Sequence, residues 1–304
     1  MSTKAESLQS LIKAPEILVM PGVFDGYSVR LVEQSGFKAA FITGAGITES
    51  RLGAADVGLM GLEENLTATS AIALCSDLPL IADADTGYGN AVNVYFAVQK
   101  FERAGVAGLM LEDQAWPKRC GHLKGKEVIS AEEMAEKIRA AATARRDPAF
   151  VIKARTDAVA THGVREAIRR LNLYAEAGAD LLFADALLAE DDIGTVARNV
   201  SKPLSVNMGF GIRKRATTPL LSSKRLEELG VAAVIYPRLL TACAIQGMKN
   251  GLATLAESLR SGRVVERPEL LVSFEELHDL MGLPDIQKLE TQFLTKEQRR
   301  AKYG

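Results

Sequence analysis

What most constrains this chain is a set of short apolar runs that do not alternate with polar residues. They fall at residues 17–20, 39–43, 78–82, 108–111, 150–154, 181–184, 203–206 and 232–236. Each gives way to a glycine, polar or acidic residue and then to an amphipathic segment. A strand that is apolar throughout must be buried on both faces, which happens when helices cover a parallel sheet. Eight such strand–helix units most simply close into a (β/α)8 TIM-type barrel, with a doubly wound open sheet as the rival. The barrel makes the sharper prediction, because its functional side chains gather at the C-terminal ends of the strands.

At 304 residues, 47% of them apolar, the chain can fill one barrel and still carry terminal additions. Residues 1–14 read as an amphipathic helix with Leu8, Leu11 and Ile12 on one side. Residues 239–260 form one long helix, and beyond it lie two amphipathic pieces, 274–281 and 286–293, then a charged end at 296–300. We expect a barrel over 1–260 that includes the N-terminal helix. A helical extension over 261–304 should pack on that barrel or on a neighbouring subunit.

A net charge of −1 gives no reason to expect nucleic acid or an anionic membrane as partner, so the expected ligand is a small molecule. Three scattered cysteines, an odd number, and a polar N-terminus point to a reducing, cytoplasmic setting without disulfides. The apolar runs stop well short of the roughly 18–20 residues that span a bilayer.

The polar residues then collect where a barrel would want them. Asp83 and Asp85 follow the third apolar run with the spacing that puts alternate residues on one side. Like charges so placed repel, and a cation relieves the repulsion. Oxygen ligands without a nearby histidine favour Mg2+ or Mn2+ over Zn2+. Glu112 and Asp113 add two carboxylates at the end of the fourth run. Arg155 closes the fifth, where its planar fork either grips a substrate carboxylate or pairs internally with Asp157 or Asp185. In the loop after the fourth run, Lys118-Arg119-Cys120-Gly121-His122 sets a thiol beside two cations, which favour its thiolate and suit it to proton transfer. Cys75 and Cys243 lie among alanines and leucine and read as small core residues, while His162 and His278 read as surface residues.

Together, Asp83-Ala84-Asp85-Thr86-Gly87-Tyr88-Gly89, Leu111-Glu112-Asp113-Gln114, Lys118-Arg119-Cys120-Gly121-His122 and Ala154-Arg155-Thr156-Asp157 resemble the isocitrate lyase/phosphoenolpyruvate mutase superfamily, over about residues 15–258. The Lys-Arg-Cys-Gly-His run is similar to its carbon–carbon lyase branch, which acts on 2-methylisocitrate and 2,3-dimethylmalate and includes the petal-death type. Residues 15–22 and 102–112 also resemble carboxyphosphonoenolpyruvate phosphonomutase.

The resemblance implies a barrel whose eighth helix is swapped between subunits of a dimer, two dimers forming a homotetramer. It implies a Mg2+ site, with Mn2+ as the alternative, at Asp83, Asp85 and Glu112, direct or through water. Thr43, Gly44 and Ala45 would cradle a 2-oxo acid carboxylate that Arg155 grips. Cys120, flanked by Lys118 and His122, would be the acid on a closing loop, and Asp56, Gly121, Asp185, Asn207 and Pro237 would contact substrate. The implied reaction cleaves a 2-hydroxy di- or tricarboxylate to pyruvate or glyoxylate and a carboxylate through an enolate. Phosphonomutase, oxaloacetate hydrolase or oxaloacetate decarboxylase chemistry are alternatives on the same fold, and a non-catalytic 2-oxo acid binding protein is a third reading. Two departures bear on substrate: Asp185 stands where the lyases usually carry Glu. After Asn207 come Met208-Gly209-Phe210-Gly211 and the basic Arg213-Lys214-Arg215, where relatives commonly carry an acid.

Overall fold

Every apolar run becomes a strand of one closed parallel barrel in the computed structural model, which describes residues 2–121, 125–210 and 218–303. The strands are β1 (Leu18–Val23), β2 (Ala40–Ile42), β3 (Leu80–Asp83), β4 (Gly108–Glu112), β5 (Val151–Thr156), β6 (Leu181–Ala184), β7 (Leu204–Asn207) and β8 (Ala233–Tyr236). They pair in chain order, and β8 returns to β1 through Leu18↔Ala233, Val19↔Val234, Met20↔Ile235 and Pro21↔Tyr236. Closure excludes the open-sheet alternative. The first strand also runs past the apolar run at 17–20 to include Pro21-Gly22, because proline suits extended backbone and forfeits only one ladder donor there.

Helix α1 (Lys4–Lys13) precedes β1, and α2 (Gly26–Gln34) follows it. After β2 come α3 (Gly44–Ile47), a π-helical turn over Thr48–Leu52, and α4 (Leu62–Ala73). Then α5 (Ala91–Arg103) follows β3, α6 (Ala131–Ala144) follows β4, and α7 (Ala158–His162) and α8 (Val164–Glu176) follow β5. The circuit continues with α9 (Glu190–Asn199), α10 (Ser223–Glu228) and α11 (Leu239–Ser261) after β6, β7 and β8. Several starts are dictated locally: Asp25, Asn90, Ser130 and Ser222 each accept a hydrogen bond from a backbone N–H of the first turn.

Two apolar layers result from strand alternation. Outward-facing Ile42, Ala82, Leu109, Leu111, Ile152, Leu182, Val206 and Val234 pack against Val29, Ile72, Val98, Phe101, Ile138, Leu171, Ile193 and Leu226 of the helices. Inward-facing Met20, Phe41, Ile81, Met110, Leu181, Phe183 and Ile235 share a second cluster with Ala5, Leu8 and Ile12 of α1. Lys4 Nζ donates to the Ser76 carbonyl and Thr3 Oγ1 to Asp147, in the loops that lead into β3 and β5. Helix α1 thus covers the N-terminal end of the barrel and leaves the C-terminal end for the site.

Asp113, expected with the acids of the rim, faces the other way. One residue past β4, it is fully buried and accepts from Thr156 Oγ1 (2.7 Å), the Asp157 N–H (2.9 Å), Arg170 Nη1 (3.0 Å) and Tyr174 Oη (2.8 Å). It therefore pins α8 to β5. Burial and the Asp157 charge push its carboxyl up, while these hydrogen bonds pull it back.

One polar side chain breaks the inner layer. Lys153 of β5 is fully buried, its Nζ has no hydrogen-bond partner, and it lies 4.6 Å from the Phe183 ring centre and 5.1 Å from that of Phe41. Burial is the main reason its amine falls to about 7 from 10.5; Asp83 opposes the fall and Arg155 adds to it.

The chain divides into two compact units, Met1–Ala242 and Cys243–Gly304, with α11 running from one into the other. The second unit also holds a 3-10 turn (Pro268–Leu270), α12 (Phe274–Leu280), α13 (Leu283–Phe293) and α14 (Lys296–Tyr303). Among the described residues no helix is long and apolar enough to cross a membrane.

Two substitutions test these burials. Because the folded amine loses its proton near pH 7 and the unfolded one near 10.5, the unfolded chain binds the extra proton between those values. Stability therefore rises with pH through that window. Lys153→Met should stabilise the protein by on the order of 3–5 kcal/mol below pH 7, a gain that shrinks towards pH 10. Melting temperatures of both proteins across this range would show it, and a pH-independent difference would contradict it. Asp113→Ala, which strands Arg170 without its buried partner, should destabilise by about 3–5 kcal/mol in urea unfolding.

Candidate active site

The C-terminal ends of the strands surround a small cavity of about 50 Å3. Its floor is apolar, made by the inward-facing Phe41, Met110, Phe183 and Ile235. Its walls are polar: Thr43, Ala45, Asp56, Asp83, Glu112, Lys118, Cys120, Gly121, Arg155, Asp185, Asn207 and Pro237 all line it. Residues from seven strands or the loops after them thus meet in one place. His122 and the Arg213-Lys214-Arg215 run lie outside the described residues.

Asp83 is the last residue of β3 and faces the cavity, while its Oδ1 accepts the Asp85 N–H at 3.1 Å. Gly44 lies behind it rather than in the wall. A Cβ at Gly44 would stand 3.0 Å from Asp83 Oδ2, so only glycine allows this approach without displacing the carboxylate. Asp85 does not project beside Asp83. The strand has ended, alternation no longer applies, and Asp85 takes a left-handed conformation (φ 48°) that aspartate tolerates better than most residues.

Asp85 instead meets Lys118, whose Nζ lies 2.8 Å from Asp85 Oδ1 and also donates to Asp56 Oδ1. The contact with Asp85 is an ion pair without hydrogen-bond alignment at Oδ1. Burial raises the Asp85 carboxyl to about 6, against the pull of Lys118. Burial alone would lower the Lys118 amine, but Asp85, Glu112, Asp83 and Asp56 more than reverse this, and it sits well above its ordinary range. Lys118 is therefore a fixed cation.

A second cluster centres on Arg155. Its Nε and Nη2 donate to the two oxygens of Asp157 at 2.8 and 2.9 Å. Its other contacts are Glu112 at 3.2 Å and Asp185 at 3.4 Å. The internal ion pair anticipated as one fate of Arg155 is present, and the guanidinium still borders the cavity. Lys126, which sequence reasoning missed, donates to Asp157 (2.8 Å), Asp185 (3.0 Å) and the Gly121 carbonyl (3.1 Å). Asn207 Nδ2 donates to Asp185 Oδ1 at 3.2 Å. Gly121 is pressed so close to Asp185 that a Cβ there would lie 2.3 Å from Oδ2.

These contacts hold the Cys120 loop over the mouth. The Cys120 N–H donates to the Asp56 carbonyl at 3.1 Å. The Gln114 amide donates to the Arg119 carbonyl and accepts its N–H, each at 2.9 Å. Among the described residues, the side-chain cation in contact with the thiol is neither Lys118 nor Arg119 but Arg238, two residues past β8, whose Nη2 lies 3.3 Å from Cys120 Sγ. Sequence reasoning gave Arg238 no role, and only its place just beyond a strand end could have marked it.

Three cations, Lys118, Lys126 and Arg155, thus stand among six carboxylates, those of Asp56, Asp83, Asp85, Glu112, Asp157 and Asp185. Burial pushes the Glu112 carboxyl well above its ordinary value despite Arg155 beside it, and Glu112 Oε1 is buried without a hydrogen-bond partner. Among the described residues no three acid, cysteine or histidine side chains converge as a metal cage. Asp83 and Glu112 both face the cavity, with Asp85 drawn back by Lys118. An excess of buried carboxylates with one orphaned oxygen suits a hard divalent cation bound by few protein ligands and several waters.

Known proteins resemble this chain in sequence and in fold. Residues 8–256 match the family model described as phosphoenolpyruvate phosphomutase. The 2,3-dimethylmalate lyase of Eubacterium barkeri is 39% identical over 291 residues, covering 96% of this chain and 98% of its own. The 2-methylisocitrate lyase of Aeropyrum pernix is 39% identical over 290 residues, covering 95% of this chain and 91% of its own. An oxaloacetate acetylhydrolase, solved in complex with the inhibitor 3,3-difluorooxalacetate, superposes with a TM-score of 0.87 at 33% identity, covering 95% of this chain and 97% of its own. With its closed barrel, its acid-rich mouth and these relatives, the chain belongs to the phosphoenolpyruvate mutase/isocitrate lyase superfamily.

Proposed function

We propose that the protein is a Mg2+-dependent carbon–carbon lyase that cleaves a branched 2-hydroxy di- or tricarboxylate of the 2,3-dimethylmalate or 2-methylisocitrate kind. The products would be a 2-oxo acid, pyruvate or glyoxylate, and a carboxylate. The observation that carries this reading is the Cys120 thiol, held by its loop on the same cavity as Asp83, Glu112 and Arg155. A thiol there is a proton donor placed opposite groups that stabilise an anion.

Asp83 and Glu112 would hold the ion, with Asp85 reaching it through water. The ion, Mg2+ with Mn2+ as the alternative, would polarise the 2-oxygen and steady the enolate charge. Arg155, aimed by Asp157, would grip the 2-carboxylate, beside the first N–H groups of α3 at Gly44 and Ala45, which have no partner within that helix. Lys118 fixes Asp56 and Asp85 and keeps its own proton, so its part is to hold charge. As the 2-hydroxyl gives up its proton to a carboxylate of the mouth and the carbon–carbon bond breaks to leave the 2-oxo acid, Cys120 Sγ–H would give its proton to the carbanion carbon and be left as thiolate. Asp185 and Asn207 would border the distal group, where the shorter Asp185 leaves room for an alkyl branch. The structural likeness to an oxaloacetate acetylhydrolase favours one second reading, hydrolysis of oxaloacetate on the same site.

We further propose a cytoplasmic homotetramer built from helix-swapped dimers. In support, Thr241 is the one buried residue of α11 among its described side chains. Met248, Leu252, Leu255 and Leu259 leave 57–76% of their surface exposed at the spacing of a helix–helix seam. The three cysteines are free of disulfides, which fits a reducing compartment.

Purified protein with Mg2+ should release a 2-oxo acid from 2,3-dimethylmalate or 2-methylisocitrate; release of oxalate from oxaloacetate instead would support the second reading. Cys120→Ser should cut turnover by at least about 100-fold while Mg2+-dependent oxalate binding persists, and unchanged turnover would remove the thiol from the mechanism. Sedimentation should find a tetramer that Leu252→Glu with Leu255→Glu breaks into smaller species, whereas a wild-type monomer would leave the helix face unexplained.

A further inference from the structure

We propose that Lys153 sets the affinity of the cation site from below: its buried amine holds a proton while no divalent cation is bound above it and releases that proton when one binds, so that ion and proton exclude one another. This rests on the proposed ion site at Asp83 and Glu112. Lys153 stands two residues before Arg155 on β5 and turns, like it, into the barrel. Its Nζ lies 4.6 Å from the Phe183 ring centre and 5.1 Å from that of Phe41, and both rings belong to the cavity floor. The side chain is fully buried and its Nζ has no hydrogen-bond partner. A methionine would fill the same space without burying an unpaired polar group, so packing gives no reason for an amine here.

The charges that act on this amine are few. Asp83 at the end of β3 favours its proton, while burial and Arg155 on β5 itself disfavour it. Glu112 at the end of β4 and Asp185 just past β6 are both paired with Arg155. Strands β1, β2 and β8 and helix α1 turn apolar side chains into this layer, and β7 turns in the neutral hydroxyl of Ser205, beside Phe183. One charge therefore keeps a proton on Lys153, and it belongs to a side chain that would hold the ion.

Exclusion follows from that sharing. A divalent cation on Asp83 neutralises the carboxylate that supports the ammonium and adds positive charge of its own. What still acts on the amine then favours its neutral form, and the ammonium gives its proton to water. The exchange balances: one ion enters, one proton leaves, and Lys153 passes from ammonium to amine with no bond to carbon made or broken. In the opposite direction, an ammonium beneath the floor repels the ion, and surroundings this dry scarcely screen the repulsion. Affinity for the ion should therefore fall as pH falls through the range in which the ion-free amine gains its proton.

The test is Mn2+ affinity without substrate, read from the electron paramagnetic resonance of the free ion, for the wild type and Lys153→Met. With the ion-free amine at about 7, roughly one wild-type molecule in eleven is neutral at pH 6, about half at pH 7 and nearly all at pH 8. Lys153→Met should then bind Mn2+ up to about tenfold more tightly than the wild type at pH 6, about twofold at pH 7 and nearly equally at pH 8. Protonation of Asp83 and Glu112 acts in both proteins, so the ratio of their Kd values isolates Lys153. Calorimetry at pH 7 in buffers of different ionisation enthalpy should count about half a proton more released per ion by the wild type. Equal affinities at pH 6 would overturn the proposal. So would a ratio that stays constant from pH 6 to pH 8, because a change of packing has no such pH profile. Equal binding by both proteins leaves the metal reading standing without Lys153, whereas no Mn2+ binding by either removes the metal reading and the proposal together.

Discussion

Lys118 ties together three parts of the chain that would otherwise meet only loosely: the loop after β4 that carries it, Asp56 in the segment after β2, and Asp85 beyond β3. Its side chain is 5% exposed, so the attraction is scarcely screened, and losing either partner would leave a buried charge uncompensated. The consequence is positional. Two residues further on, Cys120 is held by the Asp56 carbonyl, and Gly121 is laid against Asp185. The site is assembled by electrostatics between loops on a scaffold assembled by apolar burial.

The two kinds of construction explain what the sequence discloses. The barrel was legible because β4 and β6 have no face that meets water, and an unbroken apolar run has few other uses. The walls of the cavity were largely legible by one rule, that polar residues at strand ends face the mouth. That rule lapses where the strand does. Asp85 and Asp113 each lie beyond the last ladder residue, and backbone conformation and burial, rather than alternation, turned one towards Lys118 and the other towards Arg170 and Tyr174. Lys126 and Arg238 escaped notice because a cation in a loop or at a helix start is ordinarily solvated, and only the folded chain brings them to Asp185 and Cys120. Lys153 went unremarked as chemistry because one polar residue in an apolar run looks like a strand end, whereas it lies beneath the floor of the site.

The carboxylate excess at the mouth and the uncompensated amine below it belong to one electrostatic arrangement. Asp83 is the leading charge that raises the Lys153 amine, and Arg155 lowers it further. The inner layer therefore feels the rim's charges, which an all-apolar filling would have ignored. A barrel interior is usually a packed core, and here its upper part forms the apolar floor of a polar chamber.

Helix α1 gives that chamber its character. With Leu8 and Ile12 filling one end of the barrel, the cavity lies at the other end, beside the Cys120 loop. A reaction that makes two molecules from one in such a space has a traffic rule imposed on it. On the proposed lyase reading, the fragment nearer the loop would leave before the one held by Arg155, and in the reverse direction the deeper partner would enter first. Order of departure would then be a property of the architecture, decided by a plug at the far end of the barrel that touches neither product.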